Sequence, residues 1–267
     1  MKRLVHLSDL HFGRDRPELV KALAHRINDL APDMVAISGD LTQRARNSQF
    51  EAARAFIDML APPVLSVPGN HDVPLDNLYM RLVAPWRRYR RWIAQELEPA
   101  HVDDEVMIIG INTVNRFNWQ RGWFTKSDIR RVRASFEGDK SRIRILVVHH
   151  PLEHLPGESK QLMKGSAEAL EALASCGTDI VLSGHLHSWS AAPYAEVTDR
   201  HSMLQVQAGT GLSTRVRGEE NDFNLLTLKS GMVRVERFVA DAEGRDYVPQ
   251  RAAAFRLGPA GWQANGG

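Results

Sequence analysis

A single cysteine, Cys176, in a chain of 267 residues excludes an intrachain disulfide framework and suits a reducing compartment. It follows Ala174 and Ser175 and precedes Gly177, near an expected helix end, a setting that fits a small core residue rather than a nucleophile. Long apolar runs are also missing: no stretch approaches the ~20 residues of a membrane span. The opening segment, from Met1 through Lys2 and Arg3 to Asp9, lacks the apolar core and small-residue cleavage site of a secretory leader, so a cytoplasmic location is the expectation. Nor is there an excess of one charge. With 34 basic residues against 32 acidic ones and a formal net charge of +2, bulk electrostatics give no argument for a nucleic-acid partner. Internal repeats and low-complexity tracts are absent.

Ordinary globular proportions remain, 43% hydrophobic and 25% charged, enough for a sizeable core. Within them one pattern recurs five times. A short apolar, β-branched-rich run stops abruptly at Asp, His or Asn: residues 4–8 run into Asp9 and His11, 34–38 into Gly39 and Asp40, 64–68 into Gly69, Asn70, His71 and Asp72, 143–148 into His149 and His150, and 180–183 into Gly184, His185 and His187. Such runs, separated by helix-like stretches, read as buried strands of a βαβ sheet, and open α/β sheets bind ligands at the carboxyl ends of their strands. Imidazole, carboxylate and amide groups are thus delivered to one rim, the donor set of a two-metal hydrolytic site.

Helices are expected at 17–30, where Leu19, Leu23, Ile27 and Leu30 share a face, and at 48–60, 127–136 and 166–174. Strands are expected at 102–112 and 142–148. After Trp189, alternating runs at 203–208, 224–229 and 233–239 suggest a mainly antiparallel set with Ser230-Gly231 as a hairpin turn. The two halves predict an α/β fold in four layers, an α-β-β-α sandwich of two mixed sheets packed face to face with helices outside. We expect one domain over 1–245, an insert or cap at about 73–103, and a loosely held tail at 246–267.

Asp9 and His11, spaced i, i+2, would point to the same side of an extended segment and share a cation. His185 and His187 repeat that spacing, with Gly184 allowing a tight turn before them. Nitrogen and oxygen donors without thiolate suit Mn²⁺, Fe²⁺/Fe³⁺ or Zn²⁺.

In order, Asp-x-His, Gly-Asp, Gly-Asn-His-Asp, His-x-Pro and Gly-His-x-His resemble the calcineurin-like metallophosphoesterase superfamily over residues 3 to about 210. The resemblance implies two metal ions, one held by Asp9, His11, Asp40 and His187, the other by Asp40, Asn70, His149 and His185, with Asp40 bridging. The family's ligand His lies two residues before the Pro, which selects His149 and leaves His150 beside the site or facing substrate. It also implies hydrolysis of a phosphodiester by a metal-bridging hydroxide, with His71 helping to expel the alkoxide and Asp72 orienting or charging the His71 imidazole. His154 and Arg215 are further candidate substrate contacts. His6, His25, His101 and His201 lie outside the motifs and read as structural or surface residues.

The compact length and Gly-Asn-His-Asp spelling resemble the class III cyclic nucleotide phosphodiesterases, which implies cyclic AMP as substrate. Three alternatives stand beside it: a UDP-2,3-diacylglucosamine pyrophosphohydrolase of lipid A synthesis, although one such family carries Arg where this chain has His71; a DNA-processing nuclease; and a non-catalytic metal-binding scaffold. Within the insert, segment 81–97 is basic and aromatic. Trp86, Tyr89, Ile93 and Leu97 form one helical face, with Arg87, Arg88 and Arg91 on others. It would pack on the core, meet anionic lipid at a membrane surface, or join a homodimer. Trp119 and Trp123 lie either over the pocket or in the core.

Overall fold

A computed structural model describes residues 1–139, 141–153, 161–194, 202–216, 218–259 and 261–265. Strands and helices alternate at first: β1 (Lys2–Leu7), α1 (Pro17–Asp29), β2 (Met34–Ile37), α2 (Asn47–Asp58) and β3 (Val64–Ser66). A 3-10 turn at Asn70–Asp72 leads to α3 (Leu78–Val83), α4 (Arg87–Trp92), β4 (Ala100–Val102), β5 (Val106–Gly110), α5 (Lys126–Phe136), β6 (Ile143–Val147), α6 (Ser166–Ser175) and β7 (Ile180–Ser183). Six more strands follow among the described residues: β8 (Ser190–Pro193), β9 (Leu204–Gln207), β10 (Asp222–Lys229), β11 (Met232–Ala240), β12 (Tyr247–Gly258) and β13 (Gly261–Ala264). Local chemistry sets the helix starts. Pro17 occupies the first turn of α1 with Glu18 beside it, and Thr125 and Asp128 cap α5 reciprocally, the Asp128 carboxylate accepting from the Thr125 N–H at 2.7 Å.

The strands form two mixed sheets, ordered β13-β12-β11-β10-β1-β2-β3 and β4-β5-β6-β7-β9-β8. The segments β1-β2-β3 and β5-β6-β7-β9 are parallel and the flanks antiparallel. Successive side chains on a strand face opposite ways, and here both faces are covered. Leu4, Ala36, Leu226 and Val235 of one sheet meet Ile145, Val147, Leu182 and Val206 of the other. Their alternates Val5, Leu7, Val35 and Ile37 pack beneath α1, α2 and the insert, while Leu146 and Val181 pack beneath α5 and α6. Three apolar interfaces separate four layers, as expected, and explain why the strands are apolar at nearly every position.

Three expectations change. The strand expected at 102–112 is shorter, β5 at Val106–Gly110, and Val102 ends the antiparallel β4, because the Asp103 carboxylate accepts from the Glu105 and Val106 N–H groups and turns the chain. Strands after Trp189 do not form one antiparallel set. β8 and β9 join the second sheet, β9 parallel to β7, and β10 to β13 extend the first. Residues 246–267 are not a loose tail through most of their length: β12 pairs with β11 and β13 with β12, burying Tyr247, Phe255 and Trp262. In the insert, Trp86, Tyr89, Ile93 and Leu97 pack on the helix-side core, and the Tyr89 hydroxyl donates to Ser66 Oγ at 3.0 Å. No helix among the described residues is long and apolar enough to cross a membrane.

Two predictions follow from burial. Trp262 is 1% exposed and donates to Asp179 Oδ1 at 3.2 Å; Trp262→Ala should lower unfolding free energy by about 3–5 kcal/mol, read by urea denaturation. His6 is fully buried with Nε2 2.9 Å from Ser38 Oγ, and burial pushes its pKa from 6.5 down to about 3. The unfolded chain therefore binds the proton first. The contribution of neutral His6 is complete above pH 6.5 and is lost as pH falls toward 3, by about 1.4 kcal/mol per unit. Wild-type stability should accordingly fall more than that of His6→Gln between about pH 7.5 and pH 5; parallel curves would show that His6 is not the responsible group.

Candidate metal centre

The carboxyl ends of β1, β2 and β3 meet those of β6 and β7 along one rim of the sandwich. Seven non-glycine residues among those described have positive φ, and five lie here: Asp9 (53°), His11 (51°), Asp40 (53°), His185 (72°) and His187 (60°). Left-handed conformations cost about 1–2 kcal/mol per residue. Asp9 and His11 are therefore not on an extended segment as their spacing suggested. Backbone bonds from Asp9 N–H to Gly39 carbonyl (3.1 Å) and from His11 N–H to Asp40 carbonyl (2.9 Å) hold the curled loop against its neighbour. Gly184 lacks a left-handed φ and serves close approach instead: a Cβ there would lie 1.7 Å from Ser8 Oγ.

Two groups of donor atoms face each other. In the first, Asp9 Oδ1 is 3.1 Å from His187 Nε2 and 3.4 Å from His11 Nε2, and the two imidazole nitrogens are 3.2 Å apart. Donors bound at about 2.1 Å and 90–109° apart are separated by about 3.0–3.4 Å, so this triangle already has the edge lengths of a coordination polyhedron. Asp9 Oδ1, buried, has no hydrogen-bond partner, an orphaned acceptor that a cation would satisfy. In the second group, Asn70 Oδ1 lies 3.1 Å from both His149 Nε2 and His185 Nδ1. Asp40 Oδ2 stands between the groups, 3.4 Å from His149 Nε2 and 3.8 Å from His11 Nε2. Nitrogen, carboxylate and amide donors with these spacings fit a dinuclear metal site.

Carbonyls behind the ring fix the imidazoles. His149 Nδ1 faces Ser38 carbonyl at 2.8 Å and His187 Nδ1 faces Arg215 carbonyl at 2.9 Å, which assigns a proton to Nδ1 and aims Nε2 at the centre. Burial alone would raise the Asp40 carboxyl, but positive charge on His149 and His71 outweighs it and holds the group below the usual carboxylate range. Asp9 is likewise lowered, burial being overcome chiefly by His187 and His11. Burial opposes charge on His149, yet the Asp40 and Asp9 carboxylates push it up to about 9. The pocket demands positive charge.

His71 sits at the edge of this centre, its ring 4.9 Å from that of His11 and its backbone N–H donating to Asp40 Oδ1 at 2.8 Å. Its Nδ1 is 2.8 Å from Gln43 carbonyl, and Arg215 Nη1 is 3.1 Å from its Nε2. Burial lowers the His71 pKa. Arg215 is thus brought into the site, whereas Asp72 does not orient or charge the imidazole. Asp72 accepts from the N–H groups of Leu41, Thr42 and Gly69 and from Thr42 Oγ1, tying the β2 and β3 loops together. Burial and the Asp40 charge push it up to about 7.

His150 lies beside His149 and His185, but its Nδ1 is taken by Thr113 Oγ1 at 2.8 Å and its Nε2 by Gln120 carbonyl at 2.9 Å. Those partners dock the 112–124 loop and occupy both ring nitrogens; burial pushes its pKa down to about 3. His154 lies outside the described residues. Sequence reasoning missed Gln43 and Ser38, which act through main-chain carbonyls and therefore carry no side-chain signature. Gly69 offers a test of the packing: a Cβ there would fall 2.1 Å from Asp40 Oδ1. Gly69→Ala should retain the far-ultraviolet circular dichroism of the wild type but bind much less metal by plasma mass spectrometry.

The sequence profile of the calcineurin-like phosphoesterase family matches residues 2–189. The glycerophosphodiester phosphodiesterase GpdQ of Enterobacter lignolyticus is 26% identical over 212 residues, 73% of this chain and 74% of that protein. A probable cyclic nucleotide phosphodiesterase of Ruthia magnifica is 21% identical over 55% of this chain and 61% of its own. The UDP-2,3-diacylglucosamine pyrophosphatase LpxG of Chlamydia muridarum is 32% identical, but over only 26% of this chain and 22% of its own. Purple acid phosphatase PPD1 from yellow lupin (Lupinus luteus) shares the fold at 16% identity with a TM-score of 0.67, covering 95% of this chain, which spans 53% of the lupin chain. With the profile running from β1 past the last of the five loops that meet at the rim, the chain belongs to the calcineurin-like phosphoesterase family.

Proposed function

We propose that this protein is a dinuclear metal-dependent phosphodiesterase. The observation that carries this reading is the pair of donor clusters, with edges of 3.1–3.8 Å, that share the Asp40 carboxylate. Asp9, His11, Asp40 and His187 would hold one ion, and Asp40, Asn70, His149 and His185 the other. When bound, two such ions supply positive charge for the phosphoryl oxygens and lower the pKa of coordinated water to about 7. The chain's own residues do the rest. Gln43 carbonyl holds the His71 Nδ1–H, so exchange with the departing alkoxide runs through Nε2, which accepts from Arg215 Nη1 in the resting structure and must first take up a proton. Arg215, beside that nitrogen, offers its guanidinium to a phosphoryl oxygen or to the leaving group. Thr113 and Gln120, by fixing His150, set the wall formed by the 112–124 loop.

Among phosphodiesters, cyclic nucleotides such as 3′,5′-cyclic AMP and glycerophosphodiesters are the first candidates, since relatives named as a probable cyclic nucleotide phosphodiesterase and as a glycerophosphodiester phosphodiesterase align over 55% and 73% of the chain. A second reading, hydrolysis of a lipid-linked nucleotide such as UDP-2,3-diacylglucosamine at a membrane surface, has its own support. Leu78, Tyr79, Val83, Phe117 and Trp119 are 56–71% exposed on α3 and the 112–124 loop, and Arg87, Arg90, Arg91 and Arg116 line an adjacent groove.

The test is steady-state hydrolysis by Mn²⁺-loaded protein of bis-p-nitrophenyl phosphate, cyclic AMP, glycerophosphocholine and UDP-2,3-diacylglucosamine. His71→Ala should lower kcat by about 10²–10⁴-fold while retaining metal. Absence of turnover on every substrate by fully metallated wild-type protein would overturn the reading.

A further inference from the structure

The wall beyond His71 is strongly basic. A pocket of about 540 Å³ opens there, lined by Arg14, Gln43, Arg44, Arg46, Gln49 and Arg215 among others, a volume within the ordinary range for small-molecule sites. It adjoins the metal centre directly, because two of its lining residues grip the His71 imidazole. Gln43 carbonyl contacts Nδ1 at 2.8 Å and Arg215 Nη1 contacts Nε2 at 3.1 Å. The pocket has three walls, the loops that follow β1, β2 and β9.

These loops are fixed to one another by their backbones. Gln43 N–H donates to Phe12 carbonyl at 3.0 Å, and Thr214 donates to Arg14 carbonyl through both N–H (2.8 Å) and Oγ1 (2.9 Å). Gln49 Oε1 accepts from Arg44 N–H at 2.9 Å and Arg46 N–H at 3.3 Å, holding the turn that carries both arginines. Gly13 lets that side chain lie across the pocket floor, since a Cβ at Gly13 would fall 2.1 Å from Gln49 Nε2. The backbone frame is therefore preorganised before any ligand arrives.

Its charge is only partly compensated. Arg46 has Asp76 at 3.6 Å, and the Asp15 carboxylate is turned to Gly13 N–H at 2.7 Å. Among the described residues neither Arg14 nor Arg44 has a carboxylate within ion-pair distance. The first turn of α2, which borders the pocket at Arg46 and Gln49, contains no acidic residue, so its N-terminal partial charge adds to the arginines. Guanidinium groups recognise phosphate by paired, charge-assisted hydrogen bonds.

We propose that this pocket binds a second phosphate of the substrate, so that the preferred substrate is a phosphodiester bearing one phosphate beyond the phosphoryl group that is cleaved. The assignment rests on the phosphodiesterase reading above and narrows it. Cyclic AMP and glycerophosphodiesters, with one phosphate each, would leave the arginines empty. Pyrophosphate diesters and end-phosphorylated diesters would fill them.

Three thymidine compounds separate these cases: the dinucleoside monophosphate TpT, the same molecule phosphorylated at both ends (pTpTp), and the pyrophosphate-linked TppT. In wild-type protein, kcat/KM for pTpTp or TppT should exceed that for TpT by about tenfold or more, and whichever compound gains locates the second phosphate. That ratio should fall toward one in Arg14→Ala/Arg44→Ala, and in the wild type it should shrink as salt is raised. Equal kcat/KM for all three in an active wild type, or a ratio unchanged by the double substitution, would overturn the proposal while leaving the phosphodiesterase reading intact. Should none be hydrolysed, calorimetric titration of metal-free protein decides. Tighter binding of pTpTp than of TpT, lost in the double variant, would keep the anion pocket and leave the hydrolytic reading to the substrates named above, whereas equal binding would remove the pocket.

Discussion

Two carboxylates buried where water cannot solvate them govern this molecule. Asp9 is fully inaccessible and Asp40 is 1% exposed, and an unpaired buried charge is tolerated only with compensating positive charge. Imidazoles surround them, oriented from behind by the carbonyls of Ser38 and Arg215. The curled loops, the left-handed residues and the glycines at close approaches all keep these groups within coordinating distance. Strain at Asp9, His11, Asp40, His185 and His187 is sustained because the strands on which these loops begin are packed on both faces and cannot yield.

That same double packing gives the site its place. A strand covered above and below offers no lateral exit for a polar group, so polarity accumulates where the strand ends. The apolar layer between the sheets reaches close to the rim through Ala36, Val147 and Leu182, and the donor groups begin within a few residues. Low polarity beneath the site strengthens every electrostatic interaction above it.

This logic made much of the molecule readable in the sequence. Uninterrupted apolar runs with abrupt polar ends betray strands buried on both sides, and the residues at those ends are what the structure gathers. Less was readable where the chain relies on its main chain. The role of Asp72 could not be inferred from its neighbours, because its partners are N–H groups of Leu41, Thr42 and Gly69, which any residue supplies. The turn at Asp103 followed from a local carboxylate that a pattern of hydrophobicity passes over. In β12, only Tyr247 and Phe255 are buried among twelve residues, so the strand lacks an alternating signature and is held largely by its ladder to β11. Arg215, in the loop after β9, is a candidate from its Gly-Thr-Gly setting, but its pairing with His71 is made by the fold and not specified by its neighbours in sequence.

The donor clusters straddle the seam of the sandwich. Asp9, His11, Asp40 and Asn70 follow strands of one sheet, whereas His149, His185 and His187 follow strands of the other, and the bond from His185 N–H to Asp9 Oδ2 joins positions 176 residues apart. Neither sheet alone possesses a complete set. Cations captured here would act as rivets across two separately built plates, coupling their affinity to the alignment of those plates and adding stability according to free metal concentration. A register error in docking, even one leaving each sheet intact, would thus be reported at the rim as a failure to retain metal.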